Sequence, residues 1–241
     1  MVATRETLQV TFSILGTILS IALYVSPFKM LRAAYHTYTQ QQRSNQLIKE
    51  HHDSNKDDKS NVSSSSSSSS DTTQRSFTYL SMFINCLFWV TYGILSDNFT
   101  LVFVNLIGFL FACYYNWLFF KITPNRESFL TKCSIILFIY ILALGYVMFL
   151  VNDSARVLSH LGFLAACSSI IMFGSPLASL KEVIEKRDAS SIPLAISAAA
   201  AGCSLTWTFY GLSMNDPSII VPNFIGSILG AIQLALKFFY Q

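Results

Sequence analysis

Charge is what this chain of 241 residues has least of: Asp, Glu, Lys and Arg together make up 12%, against 52% hydrophobic residues. That balance excludes an ordinary soluble domain. Acidic residues are absent from every long apolar run. A carrier coupled to protons or sodium usually needs a buried titratable or anionic group, so the absence favours passive movement of a neutral solute. The cysteines Cys86, Cys113, Cys133, Cys167 and Cys203 form neither a Cys-x-x-Cys pair nor a spacing that suits zinc. A disulfide-stapled ectodomain and a zinc site are thereby excluded, and the thiols read as packing residues. The apolar runs hold no nucleophile paired with a base and no metal cluster, which leaves an intramembrane enzyme without machinery. No cofactor is implied, and a net charge of +3 calls for no nucleic-acid partner.

What remains is apolar sequence in lengths that suit a bilayer. A span needs about 20 predominantly apolar residues, and such runs cover roughly residues 9–31, 77–96, 99–121, 129–151, 158–180, 191–213 and 217–239. Backbone groups in lipid must be satisfied within the segment, so the runs predict seven helices and an all-α membrane protein. Of the 16 Lys and Arg, all but Arg5 and Arg156 fall on one side if the N-terminus lies outside the cytosol. The positive-inside bias then puts the C-terminus in the cytosol.

The halves of the chain repeat each other. Trp89, Tyr92, Gly93, Asn105, Ile107 and Gly108 recur as Trp207, Tyr210, Gly211, Asn223, Ile225 and Gly226, each displaced by the same 118 residues. Two similar halves in a membrane chain suggest a transporter with a central site at their interface. Residues 1–121 then form one three-helix repeat, 122–153 a linker region with the fourth helix, and 154–241 the second repeat. A single intervening helix leaves the two repeats in parallel orientation. Ser26-Pro27 at the end of the first span matches Ser175-Pro176 at the end of the fifth, so the first helix belongs to the repeat and is not a cleaved signal.

The first half is longer by an insertion of low complexity, about residues 41–75, containing eight consecutive serines from Ser63 to Ser70. It has little apolar surface to bury and is expected to be disordered.

The landmarks resemble the SWEET sugar transporters. The resemblance rests on Asn85-Cys86-Leu87-Phe88-Trp89-x-x-Tyr92-Gly93, Asn105-x-x-Gly108, Ser169-Ile170-Ile171-Met172-x-x-Ser175-Pro176, and Asp216-Pro217 followed by Val221-Pro222-Asn223-x-x-Gly226. It implies two parallel three-helix bundles joined by a linker helix. It also implies bidirectional, facilitated sugar passage by alternating access. Asn105, Asn223, Trp89 and Trp207 match positions that line the substrate pocket in that family, as do Leu23 and Met172. Chemically they suit a sugar: an Asn amide donates and accepts without charge, and an indole offers a flat face to C–H groups. The resemblance further implies a gate between Tyr92 and Asp216. Hinges are implied near Pro27, Pro176 and Pro193, with Thr78 standing in span two where the family has proline. Asn85 and Asn116 have no duplicated counterparts and read as packing residues.

Bulky walls at Trp89, Trp207, Leu23 and Met172 predict a monosaccharide such as glucose as cargo. The plasma membrane is the expected location, with the Golgi and other endomembranes as alternatives, and a homo-oligomer is left open. A seven-helix receptor would share the span count but predicts no internal repeat, and neither Asp-Arg-Tyr nor Asn-Pro-x-x-Tyr is present at its expected place. A Pro-Gln-loop exporter is nearer in fold, yet Pro27 and Pro176 are followed by Phe28 and Leu177.

Overall fold

The computed structural model describes residues 2–54, 69–151, 153–190 and 192–240. Among them the chain forms nine helices: α1 Val2–Val25, α2 Phe28–Ser54, α3 Ser69–Leu95, α4 Phe99–Ile122, α5 Arg126–Leu150, α6 Ser154–Met172, α7 Gly174–Lys186, α8 Leu194–Met214 and α9 Pro217–Phe239. Pairs α1/α2 and α6/α7 are the first and fifth spans, each broken near its proline, so seven spans underlie the nine helices. Six of the seven are long and apolar enough to cross a membrane by composition alone. The other, α8, is rich in Ala and Ser and packs heavily on α1 and α9, where small side chains allow close helix approach.

Each bundle takes its form from one crossing made twice. Gly93 lets α3 meet α4 so closely that an added Cβ would stand 3.0 Å from the Val102 backbone nitrogen; at Gly211 it would stand 3.0 Å from that of Ile220. The intervening turns are superposable in sequence. Asp97 and Asn215 both take left-handed backbone, with φ of 51° and 56°, a conformation that Asp and Asn tolerate better than most residues. The next residues, Asn98 and Asp216, cap α4 and α9 by accepting from the backbone N–H of Leu101 and Ser218. Helices α1 and α2 then pack on α4 to complete the first bundle, while α6 and α7 pack on α9 to complete the second.

The bundles join through α1 against α8 and α3 against α6. Their shared core contains Phe88, Trp89, Leu101, Leu161, Trp207 and Ile219. Helix α5 rests mainly on α3 and α6 and exposes Ile135, Phe138, Ile139, Leu142 and Phe149, as expected of a linker bathed in lipid.

The insertion departs from the expectation of disorder at both flanks. Helix α2 continues to Ser54 and α3 begins at Ser69, so only residues 55–68 fall outside the described residues. Gln, Arg, Leu, Lys and Glu between Gln41 and Glu50 are good helix formers, and they extend a helix already nucleated in the span. No tertiary burial is required: residues 41–48 are all exposed.

The expected hinges also divide. Pro27 lies in the turn between α1 and α2, and Pro176 occupies the first turn of α7 just after the break at Phe173, where its missing N–H interrupts no helical bond. Pro193 instead precedes α8 as its N-cap, so it starts a helix rather than kinking one. Thr78 sits within uninterrupted α3, because a threonine keeps the N–H that a proline would remove.

Candidate functional site

Where the bundles meet, the repeat becomes a set of matched side chains. The indole of Trp89 is 5% exposed and donates through Nε1 to Ser169 Oγ at 2.9 Å. Trp207, 7% exposed, donates in the same way to Ser20 Oγ at 3.0 Å. Each bond crosses between halves: the second span of one repeat holds its indole against the first span of the other. Ser20 and Ser169 are themselves equivalents, separated by the same 149 residues as Pro27 and Pro176. Carrying that second offset along the first span would have revealed them in the sequence.

Behind each serine stands a third group, and here the halves differ. Asn85 Oδ1 accepts from both Ser168 Oγ at 2.9 Å and Ser169 Oγ at 2.8 Å. Its counterpart 118 residues later is Cys203, whose sulfur lies 3.3 Å from Ser20 Oγ. Asn85 is therefore more than the packing residue expected, since it is a polar strut between α3 and α6. The signal was obscured because its repeat position carries a thiol.

Asn105 and Asn223 hold equivalent places on α4 and α9. Each donates from Nδ2 to the carbonyl one turn earlier, Leu101 at 2.9 Å and Ile219 at 2.8 Å. That bond uses one amide hydrogen and fixes the rotamer, leaving Oδ1 and a second hydrogen outside it. Asn105 is buried and Asn223 half-buried. Leu23 packs on the shared core, and Met172, half-buried, is the last residue of α6 beside the break.

One end of this constellation is closed by two latches. Tyr92 donates to Asp216 Oδ2 at 2.7 Å, and Tyr210 donates to Asn98 Oδ1 at 3.0 Å. The first pair joins the two residues for which the family resemblance implies a gate; the second is its repeat image, with a neutral amide in place of the carboxylate. Asn98 opens the glycosylation sequon Asn98-Phe99-Thr100 and is buried in this role, which leaves no room for a glycan; Asn152, which opens the sequon Asn152-Asp153-Ser154, lies outside the described residues. Each latch tyrosine also stands edge-on to an indole of the site: Trp89 and Tyr92 at 5.7 Å and 88°, Trp207 and Tyr210 at 5.3 Å and 85°. Movement of a latch therefore cannot leave the adjoining indole undisturbed.

These groups can donate, accept and stack, and none within the constellation except Asp216 at its edge carries a formal charge. Among the described residues no group of three His, Cys, Asp or Glu side chains could hold a metal ion.

Comparison with known proteins matches residues 66–127 and 159–241 to a family described as "Sugar efflux transporter for intercellular exchange". The chain is 35% identical to sugar transporter SWEET1 of Dictyostelium discoideum, over 68% of this chain and 76% of that one. It is 30% identical to SWEET1 of Mus musculus, over 66% and 72% of the two chains. A bidirectional sugar transporter of Arabidopsis thaliana, SWEET10, is 28% identical over 69% of this chain and 59% of its own. A solved eukaryotic SWEET transporter shares the fold with a TM-score of 0.76 and 24% identity, covering 98% of both chains.

Proposed function

Since the chain belongs to the family of sugar efflux transporters for intercellular exchange, a multi-pass membrane family of transporters rather than enzymes, we propose that it is a bidirectional sugar uniporter working by alternating access, with a monosaccharide such as glucose as cargo. The observation that carries this reading is the crossed pair Trp89–Ser169 and Trp207–Ser20, together with the equivalent amides Asn105 on α4 and Asn223 on α9. A hexose presents hydroxyls around its rim and C–H groups on its faces. The amides would meet the rim and the indoles the faces, so binding needs neither ion nor cofactor.

The asymmetry along the site supports alternating access. The Asp216 end is latched by tyrosines, whereas the opposite end is built from α2 and α7, the continuations of the first and fifth spans beyond their breaks. Parting the latches while α2 and α7 swing together would expose the same amides and indoles to the other side. The proposed orientation puts the N-terminus and latches outside the cytosol and the C-terminus inside, in the plasma membrane. Labelled glucose and sucrose uptake by proteoliposomes, with counterflow and an imposed proton gradient, tests the reading. Counterflow of glucose that ignores the proton gradient supports it, and gradient-driven accumulation overturns the uniporter.

Two further outcomes are expected. Tyr92→Phe removes a charge-assisted hydrogen bond worth about 1.5–3 kcal/mol, so the latched state should lose population about tenfold or more. A cysteine placed at Ser218 beside this latch should then react correspondingly faster with an impermeant maleimide, read by mass on its peptide. An unchanged labelling rate would remove Tyr92 from the gate. Deleting Asn45 to Asp71 should preserve the transport rate, because residues 45–48 of α2 are exposed and the segment has no counterpart in the second half. A collapse in rate at unchanged surface abundance would make this segment part of the carrier's gating.

A further inference from the structure

The two breaks near Pro27 and Pro176 are built alike but bonded differently. Tyr24 precedes Pro27 as Phe173 precedes Pro176, the pairs standing 149 residues apart. Each ring fills a notch at a glycine of the third helix in its repeat: an added Cβ at Gly108 would stand 2.7 Å from Tyr24 Cζ, and one at Gly226 would stand 2.9 Å from Phe173 Cζ. The rings are therefore seated in the same way. Their backbone carbonyls are not.

Phe173 O accepts from the backbone N–H of Leu177 at 3.0 Å, so the helical ladder runs across the second break. The equivalent donor in the first half would be Phe28, yet Tyr24 O accepts instead from the hydroxyl of Tyr115 on α4. Tyr115 is fully buried in the core of the first bundle, and its hydroxyl reaches the break from there. Its repeat image is Gln233, in a half where the carbonyl already has its backbone donor.

A carbonyl at a helix break inside a bilayer needs a donor, and Tyr24 has two within reach of its turn. One is the tyrosine hydroxyl. The other is the Phe28 N–H, since the second half holds that bond across the same Ser-Pro turn. Pro27 has no N–H to give Leu23 O in either arrangement, which leaves the Tyr24 carbonyl as the place where the donor can change. Taking the backbone donor requires helical backbone between Tyr24 and Phe28, and that realignment shifts α2 against α4.

We propose that the Tyr24 carbonyl exchanges donors in the transport cycle, holding Tyr115 Oη while the outer latches are closed and Phe28 N–H once α2 swings inward. Tyr115 is then a positioning residue of the first bundle. The proposal rests on the alternating-access reading and adds to it which of the two breaks is bistable: the first, because the second already has the ladder bond. The exchange leaves one hydrogen bond on the carbonyl in either form, so neither form orphans a buried group.

The test reads how fast a maleimide labels a cysteine placed at Ser218, beside the outer latch, with the full chain in phosphatidylcholine nanodiscs and no sugar present. Tyr115→Phe keeps the ring and removes the donor of the latched form alone, so labelling should speed about fivefold to tenfold, the worth of one hydrogen bond. Phe28→Pro removes the donor of the other form. Phe28 is the first residue of α2, where proline is tolerated, and labelling should slow about fivefold relative to Phe28→Ala, which loses the same ring. Gln233→Leu should leave the rate unchanged. General loosening of the bundle could only speed labelling, so the slowed arm decides the matter even where Tyr115→Phe is unstable. A wild-type rate in Tyr115→Phe, or Phe28→Pro as fast as Phe28→Ala, would overturn the donor exchange. A latch cysteine that labels in none of the variants would overturn alternating access itself, and the exchange with it.

Discussion

Replacing Asn105 or Asn223 by alanine is expected to lower sugar flux by about tenfold or more, because each amide would contribute one to two hydrogen bonds worth about 1–1.5 kcal/mol apiece. Membrane abundance should stay near normal. The reason lies in how the side chains are held. Each is tied to the carbonyl of its own helix, which already has a helical partner position and can lose the extra donor without orphaning a buried group. Alanine also has higher helix propensity than asparagine. A structural role between helices would instead cost stability, and neither amide bonds to a neighbouring helix. Labelled glucose flux in proteoliposomes, normalised to protein content and accompanied by a thermal transition, separates the two roles. Retained transport in both single variants would remove the amides from the proposed binding site, whereas lost expression would make them packing residues.

Exchanging the two indoles for serine should change what the carrier accepts. Trp89 and Trp207 are buried and project from opposite halves toward the same region, so removing both enlarges the proposed site where a second sugar ring would have to go. It also frees Ser169 and Ser20, the present partners of the indole N–H groups, to meet additional hydroxyls. Hexose stacking weakens by the loss of aromatic contact, about 0.5–1.5 kcal/mol per face beyond simple burial. The ratio of sucrose to glucose flux should therefore rise about tenfold or more. Truncating a buried Trp costs about 3–5 kcal/mol of stability in a packed core, so the single Trp89→Ser variant, expected to lie between wild type and the double, guards against a folding failure. Wild-type sucrose flux equal to hexose flux in the same vesicles would defeat the steric argument while leaving the proposed amide contacts standing.

The amides and indoles were visible because the repeat keeps them at one offset, and Tyr92 with Asp216 was visible through the family resemblance. The second latch was equally within reach: Asn98 and Tyr210 are the 118-residue images of Asp216 and Tyr92. Its signal is weaker because an amide stands where the other latch has a carboxylate, and a neutral pair carries no charge to mark it.

Spans, helical nature and duplication are legible in the sequence alone, since hydrocarbon imposes length and backbone satisfaction on every segment that crosses it. It also marks the ends of the first and fifth spans, where Pro27 and Pro176 lie beside the breaks between α1 and α2 and between α6 and α7. Which half supports which indole emerges from packing alone. Ser20 and Trp207 are separated by 187 positions and Ser169 and Trp89 by 80, and nothing in hydropathy tells a helix which neighbour it will face. Association inside a bilayer rests on close packing of small residues and on isolated polar bonds. Hydrophobicity is much the same on every side of such a helix, so the crossed exchange of serines and the strut at Asn85 emerge only when α1 lies on α8 and α3 on α6.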